Sequence, residues 1–122
     1  MAHYLFNLSD GEEADRLMRE KRWPVADDER HRDALAPGDL VLIYAGAFVG
    51  RAQLATGVVG GEVRLSGVDE WVPPVPMAAV VQRIDPDGSN PVVQENAAVG
   101  FRSGVVLITE SEYEHALALN DD

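Results

Sequence analysis

The sequence predicts an α+β domain: a small bent β-barrel of five or six strands with flanking helices. Short apolar or alternating runs recur along the chain, separated by turns rich in Gly, Pro, Asp and Asn. Capping-box signals for a helix follow the first and the last of these runs. Small residues interrupt one central strand, as tight curling of a small barrel requires. At 122 residues, the chain is expected to form a single domain over residues 1–122.

The N-terminal region is predicted as a strand followed by a helix. Residues 3–9, HYLFNLS, alternate bulky side chains in the manner of a strand. Ser9 and Glu12 then have the spacing of a capping box, which predicts a helix over roughly residues 10–22. Its predicted core-facing residues are Leu17 and Met18.

The next segment is predicted to break that helix and start a short second one. Pro24 cannot continue the first helix, so Trp23 beside it is expected in a loop. The run DDERHRDAL, residues 27–35, predicts a short helix with Asp27 or Asp28 as its cap.

Two central strands follow, and the second has an unusual face. Residues 40–44, LVLIY, are apolar throughout, which predicts burial on both faces. Residues 49–58 form the returning strand, with Gly50, Ala52 and Leu54 on one face. Such small side chains are compatible with a ligand pocket or with tight curvature alone.

The middle of the chain predicts shorter elements. Residues 63–68 are predicted as a short strand, and residues 71–76 as an irregular edge segment because three prolines cannot donate to a ladder. Residues 77–84, MAAVVQRI, are predicted as another strand, and residues 85–91 as a loop.

The C-terminal region is predicted as a strand and a helix. Residues 104–109, GVVLIT, form the strand, and Thr109 with Glu112 has the spacing of a second capping box. The predicted buried stripe of the following helix comprises Tyr113, Ala116 and Leu117.

Charge and composition exclude several classes of protein. The formal net charge is −11, and Lys21 is the only lysine among ten basic residues. A generic phosphate-backbone binder has an excess of basic residues, so nucleic-acid binding by this chain would need a local site. An excess of acidic residues is typical of a soluble protein. The chain has no cysteine, no signal-peptide pattern and no apolar run long enough for a membrane span. We therefore expect a cytoplasmic protein that does not enter a membrane.

The sequence carries no recognisable catalytic, metal or cofactor motif. The three histidines, at positions 3, 31 and 115, lack metal-ligand spacing, and the serines lie in caps or turns rather than in a nucleophile elbow. The carboxylates occur in runs that are typical of a solvated surface. We predict no metal and no cofactor, and no sequence feature favours an enzyme.

Aromatic residues are the remaining candidates for a ligand site. A tryptophan next to Pro24 could stack a flat ligand, or it could close one end of the barrel. Trp71, beside the proline segment, fits packing better. Phe101 and Arg102 combine a flat ring with a planar cation before the last strand. The pair could hold a base or a phosphate, or Arg102 could form a surface ion pair with an acidic residue.

The order of these motifs resembles the EVE domain of the PUA-like superfamily. The resemblance extends over the whole chain through HYLFNLS, Trp23, ALAPGDLVLIYAG, FVGRAQLATGV and FRSGVVLITESEYEHAL. Matching positions are Gly38, Asp39, Val41, Tyr44, Gly50, Ala52, Gly104, Ile108, Thr109, Glu112 and Tyr113.

The resemblance implies a PUA-like barrel with a concave pocket that reads a modified or flipped-out base in DNA or RNA. Trp23 and the segment after it would form one wall, and Tyr44 with Ala45 and Gly46 another. Polar contacts would come from Asn7, Ser9, Arg102 and Ser103.

Two departures from the family pattern bear on the ligand. After its tryptophan the family has a Gly-Val-Arg-Asn-like run, whereas this chain has PVADDERHR, in which Arg30 could replace the lost donor. Before the final glycine the family often has Arg-Gln, whereas this chain has Arg102-Ser103. Asp27 and Asp28 add negative charge, so an uncharged nucleoside or a base without its phosphate would suit the site better.

These observations predict a non-catalytic module that recognises a modified nucleobase, with nucleic acid as its partner. One alternative is a protein-interaction domain that binds a protein partner or forms a homodimer. Another is an ASCH-type nucleoside amidohydrolase, for which Lys21 would be the site lysine. The hollow strand face favours the first function, and the net charge favours the protein-interaction domain.

Overall fold

A curled six-stranded half-barrel sheet forms the centre of the protein, in a computed structural model that describes residues 2–8, 10–29, 31–91 and 104–121. The strands are β1 (His3–Asn7), β2 (Arg22–Pro24), β3 (Leu40–Tyr44), β4 (Phe48–Leu54), β5 (Glu62–Val75) and β6 (Gly104–Ile108). Three described helices flank the sheet, namely α1 (Gly11–Glu20), α2 (Met77–Ile84) and α3 (Glu110–Asp121).

The strand order in the sheet is β2-β5-β4-β3-β1-β6. β1 and β3 run parallel, and every other neighbouring pair is antiparallel. The arrangement confirms the predicted α+β fold, a bent sheet of six strands with flanking helices. Within the described ranges, no helix is long and apolar enough to cross a membrane.

The sheet separates two hydrophobic clusters. The inner cluster packs α1 against one face and includes Tyr4, Phe6, Leu8, Leu17, Met18, Trp23, Val25, Val41, Ile43, Leu54, Val63 and Val105. The outer cluster packs α2 and α3 against the other face and includes Leu5, Leu42, Tyr44, Phe48, Trp71, Val75, Val80, Ile108, Tyr113 and Ala116. Because β3 contributes alternate residues to both clusters, the prediction that residues 40–44 are buried on both faces is confirmed.

The first helix is capped one residue later than predicted. Asp10 occupies the cap position, and its side chain accepts a hydrogen bond from the backbone N–H of Glu13 at 2.8 Å. The prediction of Ser9 as the cap is therefore wrong, and Ser9 itself lies outside the described residues. Asp and Ser are equally good caps, so the sequence does not distinguish these neighbours.

Two predictions for the segment after α1 are also wrong. Trp23 lies in β2 rather than in a loop, paired with Val63 of β5. The proline beside it is tolerated because β2 is a three-residue strand at the edge of the sheet. Among residues 27–29 and 31–35, which the structure describes, the helical segment is a three-residue 3-10 helix at Arg32–Ala34, and Asp27 forms an ion pair with Arg32 at 3.7 Å instead of capping a helix.

The alternation predicted for the returning strand is confirmed in β4. Gly50, Ala52 and Leu54 are buried, whereas Arg51 and Gln53 are exposed. The hollow face is filled by neighbours: a Cβ at Gly50 would lie 2.7 Å from the Asp69 carbonyl oxygen and 2.9 Å from the Met18 sulfur. Gly50 thus permits close packing of β5 and α1, and the space beside it is occupied by Asp69 and Met18.

Two predictions for the middle of the chain are wrong. Residues 62–75 form one continuous strand, β5, where a short strand and an irregular segment were predicted. Residues 77–84 form α2 where a strand was predicted. Pro76 stands just before this helix, and Met77 and Val80 pack against the outer cluster at helical spacing.

The C-terminal predictions are confirmed. The Thr109 backbone N–H donates to Glu112 Oε1 at 3.0 Å, and the Glu112 backbone N–H donates to Thr109 Oγ1 at 3.1 Å, as a capping box requires. Tyr113 and Ala116 are buried, and Leu117 packs partly against the outer cluster.

Candidate functional site

Trp23 lies in the wall of the inner cluster. Its ring stacks on Phe6 with the ring centroids 4.5 Å apart and an interplanar angle of 27°. Its Nε1–H donates to Glu13 Oε1 of α1 at 3.4 Å, and only 8% of the residue is exposed. One face of the indole is therefore occupied by Phe6, and its polar edge points toward α1.

A groove runs between α1 and β2 beside this tryptophan. Its volume is about 410 Å³, which lies within the usual size range of small-molecule sites. The groove is lined by Glu13, Arg16, Leu17, Glu20, Arg22, Trp23, Pro24 and Glu62. The lining thus combines three aromatic or apolar residues with five charged ones.

The charges of the groove nearly balance. Three glutamates face two arginines among the lining residues. Arg22 forms an ion pair with Glu20 at 3.2 Å, whereas Arg16 has no ion-pair partner among the described residues. Such a groove repels a phosphate less than the net charge of −11 would suggest, yet it offers no cluster of cations to bind one.

Tyr44 and Asn7 lie together, but on the other face of the sheet from Trp23. Asn7 is in register with Tyr44 across the parallel β1–β3 pair, and both residues are buried. The Tyr44 ring packs edge-on against Phe48 with centroids 5.1 Å apart, and burial raises the pKa of its hydroxyl. Tyr44 belongs to the outer cluster and Trp23 to the inner one, so their side chains do not face one pocket.

Ala45, the residue after Tyr44, does approach the tryptophan side, because it packs partly against the inner cluster. The wall predicted for this segment is thus divided between the two faces of the sheet. The remaining predicted contacts, Ser9, Arg30, Arg102 and Ser103, lie outside the described residues. In the chain, Ser9 follows Leu8 of the inner cluster, and Ser103 precedes Gly104, which is in register with Asn7. Their roles stay predictions.

Sequence reasoning missed all five charged lining residues of the groove, three of which lie on α1. Glu13, Arg16 and Glu20 follow one another at three- and four-residue spacing, so they share one face of α1. That spacing was visible in the sequence. It could not be assigned to a site without knowing that β2 returns alongside α1.

A buried carboxylate away from the groove accepts hydrogen bonds from backbone N–H groups. The Asp39 carboxylate accepts hydrogen bonds from the backbone N–H of Ala2 at 3.0 Å and of Ala36 at 3.1 Å. Tyr4 lies in the inner cluster, and burial, together with the charge of Asp39, raises the pKa of its hydroxyl. Among the residues described, no group of three or more acidic or histidine side chains could hold a metal ion.

Comparison with known proteins identifies the fold. No protein-family model and no curated protein matches this sequence. Rpa0253 from Rhodopseudomonas palustris is similar in structure with a TM-score of 0.68 and 19% identity, over 99% of this chain and 94% of that one. An ASCH protein from Zymomonas mobilis has a TM-score of 0.63 and 10% identity, over 98% and 99% of the two chains.

A third similar structure is the Mmi1 YTH domain, with a TM-score of 0.65 and 14% identity, over 98% of this chain and 88% of that one. At these identities the similarity concerns the fold. This chain therefore has a PUA-like fold whose structural neighbours include ASCH and YTH domains. Membership of the EVE family rests on the sequence resemblance and stays a prediction.

Proposed function

We propose that the protein is a non-catalytic module that binds a modified or flipped-out nucleobase of DNA or RNA. The observation that carries the proposal is the groove of about 410 Å³ with Trp23 in its wall. A base presents a flat π-face to any aromatic or guanidinium plane, and here Trp23 and Arg22 supply one of each. The resemblance to base-reading domains adds support of a separate kind.

The charge of the groove favours recognition of the base over the phosphate. Glu13, Glu20 and Glu62 offer acceptors to the exocyclic amino groups of a base. Asp27 and Asp28, both exposed, keep further negative charge close to β2 along the chain. We therefore expect binding to depend only weakly on salt, because few phosphates are neutralised.

The catalytic alternative receives no support from the position of its lysine. Lys21 is exposed at the C-terminal cap of α1, with a φ of 57°. Its backbone serves the fold: the N–H donates to the Leu17 carbonyl at 2.8 Å, and the carbonyl accepts from the Leu65 N–H at 2.9 Å. Lys21 is not among the residues lining the groove.

Fluorescence titration tests the proposal. The chain has two tryptophans, so Trp71→Phe leaves Trp23 as the only indole reporter. Short single- and double-stranded oligonucleotides carrying one normal or modified base would be titrated into this variant at low salt. We expect saturable quenching that prefers one modified base.

Matched variants separate the groove from the rest of the surface. Arg22 and Arg51 are both arginines that pair with a carboxylate, at 3.2 Å to Glu20 and 3.6 Å to Asp69. Only Arg22 lines the groove. Arg22→Gln removes the guanidinium plane and should weaken binding, whereas Arg51→Gln should not. Trp23→Phe should also weaken binding, and because it removes the indole reporter its binding is followed by the fluorescence anisotropy of a labelled oligonucleotide. Equal loss in Arg22→Gln and Arg51→Gln, or no response to any oligonucleotide at high micromolar concentration, would overturn the proposal.

A further inference from the structure

The last strand of the sheet leaves one of its edges free among the described residues. β6 pairs with β1 in an uninterrupted antiparallel register from Gly104 to Ile108. It stands at the end of the strand order, so no described strand lies on its other side. Alternate backbone N–H and C=O groups of an edge strand point outward and are available to another chain.

The opposite edge of the sheet is protected against such pairing. β2 is only three residues long and ends in Pro24. Beyond Leu65, no described strand pairs with β5 on the β2 side, and this part carries Pro73 and Pro74. Short length and prolines are the usual devices that prevent pairing at an edge.

β6 has none of these devices. Its sequence, GVVLI, contains no proline and no charge. Leu107 is 48% exposed, although it lies in register with buried Tyr4. An uncharged, apolar strand at a free edge is a site for strand addition.

Acidic side chains stand at the C-terminal end of this edge. Glu110 comes two residues after Ile108, and Glu114 lies one helical turn further on the same side of α3. Both residues are exposed. A basic segment would be attracted here, whereas a second copy would bring two such pairs, and two chains of net charge −11, close together.

We propose that β6 binds an extended segment of a partner protein, in which apolar residues alternate with Lys or Arg. The segment adds a seventh strand beside β6, places an apolar side chain against Leu107, and directs a basic side chain toward Glu110 and Glu114. This function is independent of the groove beside Trp23, so either can fail without the other.

Selection from a random peptide library displayed on phage, against the folded full chain, tests the proposal. Enriched peptides would be synthesised and their affinities measured by calorimetry. Leu107→Lys and Val72→Lys form a matched pair, because both replace an exposed apolar residue with the same charge. Val72 is 82% exposed on the edge of β5 that carries the prolines.

We expect the selected peptides to alternate apolar and basic residues and to protect the amides of residues 104–108 from hydrogen exchange. Loss of a central contact side chain should cost about tenfold or more in affinity for Leu107→Lys, whereas Val72→Lys should have little effect. Urea unfolding of both variants checks that they fold. Equal effects of the two substitutions, protection elsewhere, or no enriched peptide would overturn the proposal. A native dimer that Leu107→Lys converts to monomer would also overturn it and assign the edge to a second copy.

Discussion

The two tryptophans lie on opposite faces of one sheet and are held in different ways. Trp23 in the inner cluster stacks on Phe6, donates a hydrogen bond to Glu13 and borders a groove. Trp71 in the outer cluster is only 2% exposed, and its Nε1–H has no hydrogen-bond partner among the described residues. An unpartnered buried donor costs free energy, so the packing around Trp71 must offset that cost.

The difference is that Trp23 borders a groove, whereas Trp71 lies within a closed cluster. Trp23 is 8% exposed and has its Nε1–H partner on α1, beside the groove. Trp71 is enclosed by side chains of the outer cluster, including Tyr44 and Phe48. The stability of variants on the two faces of the sheet tests this difference between the tryptophans.

Truncation of the tryptophans should have the largest effect. Trp71→Ala should lower the free energy of unfolding by about 3–5 kcal/mol, since it leaves a cavity in a closed cluster. Trp23→Ala should cost less, because water can enter its cavity from the groove. Urea unfolding of both variants gives the comparison. An equal or greater loss in Trp23→Ala would show that the inner cluster is as closed as the outer one.

Gly50 offers the next effect, on the inner side. Gly50→Ala places a Cβ 2.7 Å from the Asp69 carbonyl oxygen and 2.9 Å from the Met18 sulfur. Backbone cannot yield as a flexible side chain does, so we expect a loss of about 1–3 kcal/mol. Gly11→Ala is the matched control, because nothing lies within 4 Å of its added Cβ. If both variants unfold at the same urea concentration, the close approach of β5 to β4 is not rigid.

Much of the sheet could be predicted from local pattern. Residues 40–44 are apolar at every position, and burial on both faces of a strand is the simplest structure for such a run. The capping box of Thr109 and Glu112 identified the start of α3, because both partners of the box lie within one turn. These signals need no knowledge of the rest of the chain.

The errors arose where tertiary contacts decide the structure. Residues 77–84 are a short apolar run that suits a strand or a buried helix equally, and packing of Val80 on the outer cluster selects the helix. The prolines of β5 are tolerated because that stretch is at an edge, which only the strand order reveals.

The candidate site was predictable only in part, for the same reason. Trp23 was identified from its setting in the sequence, and it does border a groove. Trp23 and Tyr44 were expected to line one pocket, but they lie on opposite faces of the sheet. The face on which each residue lies depends on the register of β1 with β3 and on the position of α1, and local spacing determines neither.

A smaller effect should come from the cap of α3 beneath the outer cluster. Thr109→Ala removes the hydroxyl that accepts from the Glu112 N–H, which should cost about 1 kcal/mol. Thr109→Ser retains the hydroxyl and is the control. Thermal and urea unfolding would detect the difference. A cost in Thr109→Ser equal to that in Thr109→Ala would attribute the effect to the lost methyl group instead of the cap.

The smallest effect is a dependence of stability on alkaline pH that both faces should share. Burial raises the pKa of Tyr44 in the outer cluster, and burial with the charge of Asp39 raises that of Tyr4 in the inner cluster. In the unfolded chain a tyrosine ionises near its ordinary pKa of about 10, whereas the folded chain holds these protons to higher pH. The unfolded state therefore binds fewer protons above that pH, and the free energy of unfolding should fall as the pH rises.

Tyr44→Phe and Tyr4→Phe divide this dependence between the two faces. Each variant should lose less stability than the natural chain between neutral pH and pH values above about 10, because one ionising group is gone. The comparison uses the change with pH within each variant, so the cost of the substitution itself cancels. An unchanged slope in Tyr44→Phe with a reduced slope in Tyr4→Phe would place the alkaline sensitivity on the inner face alone.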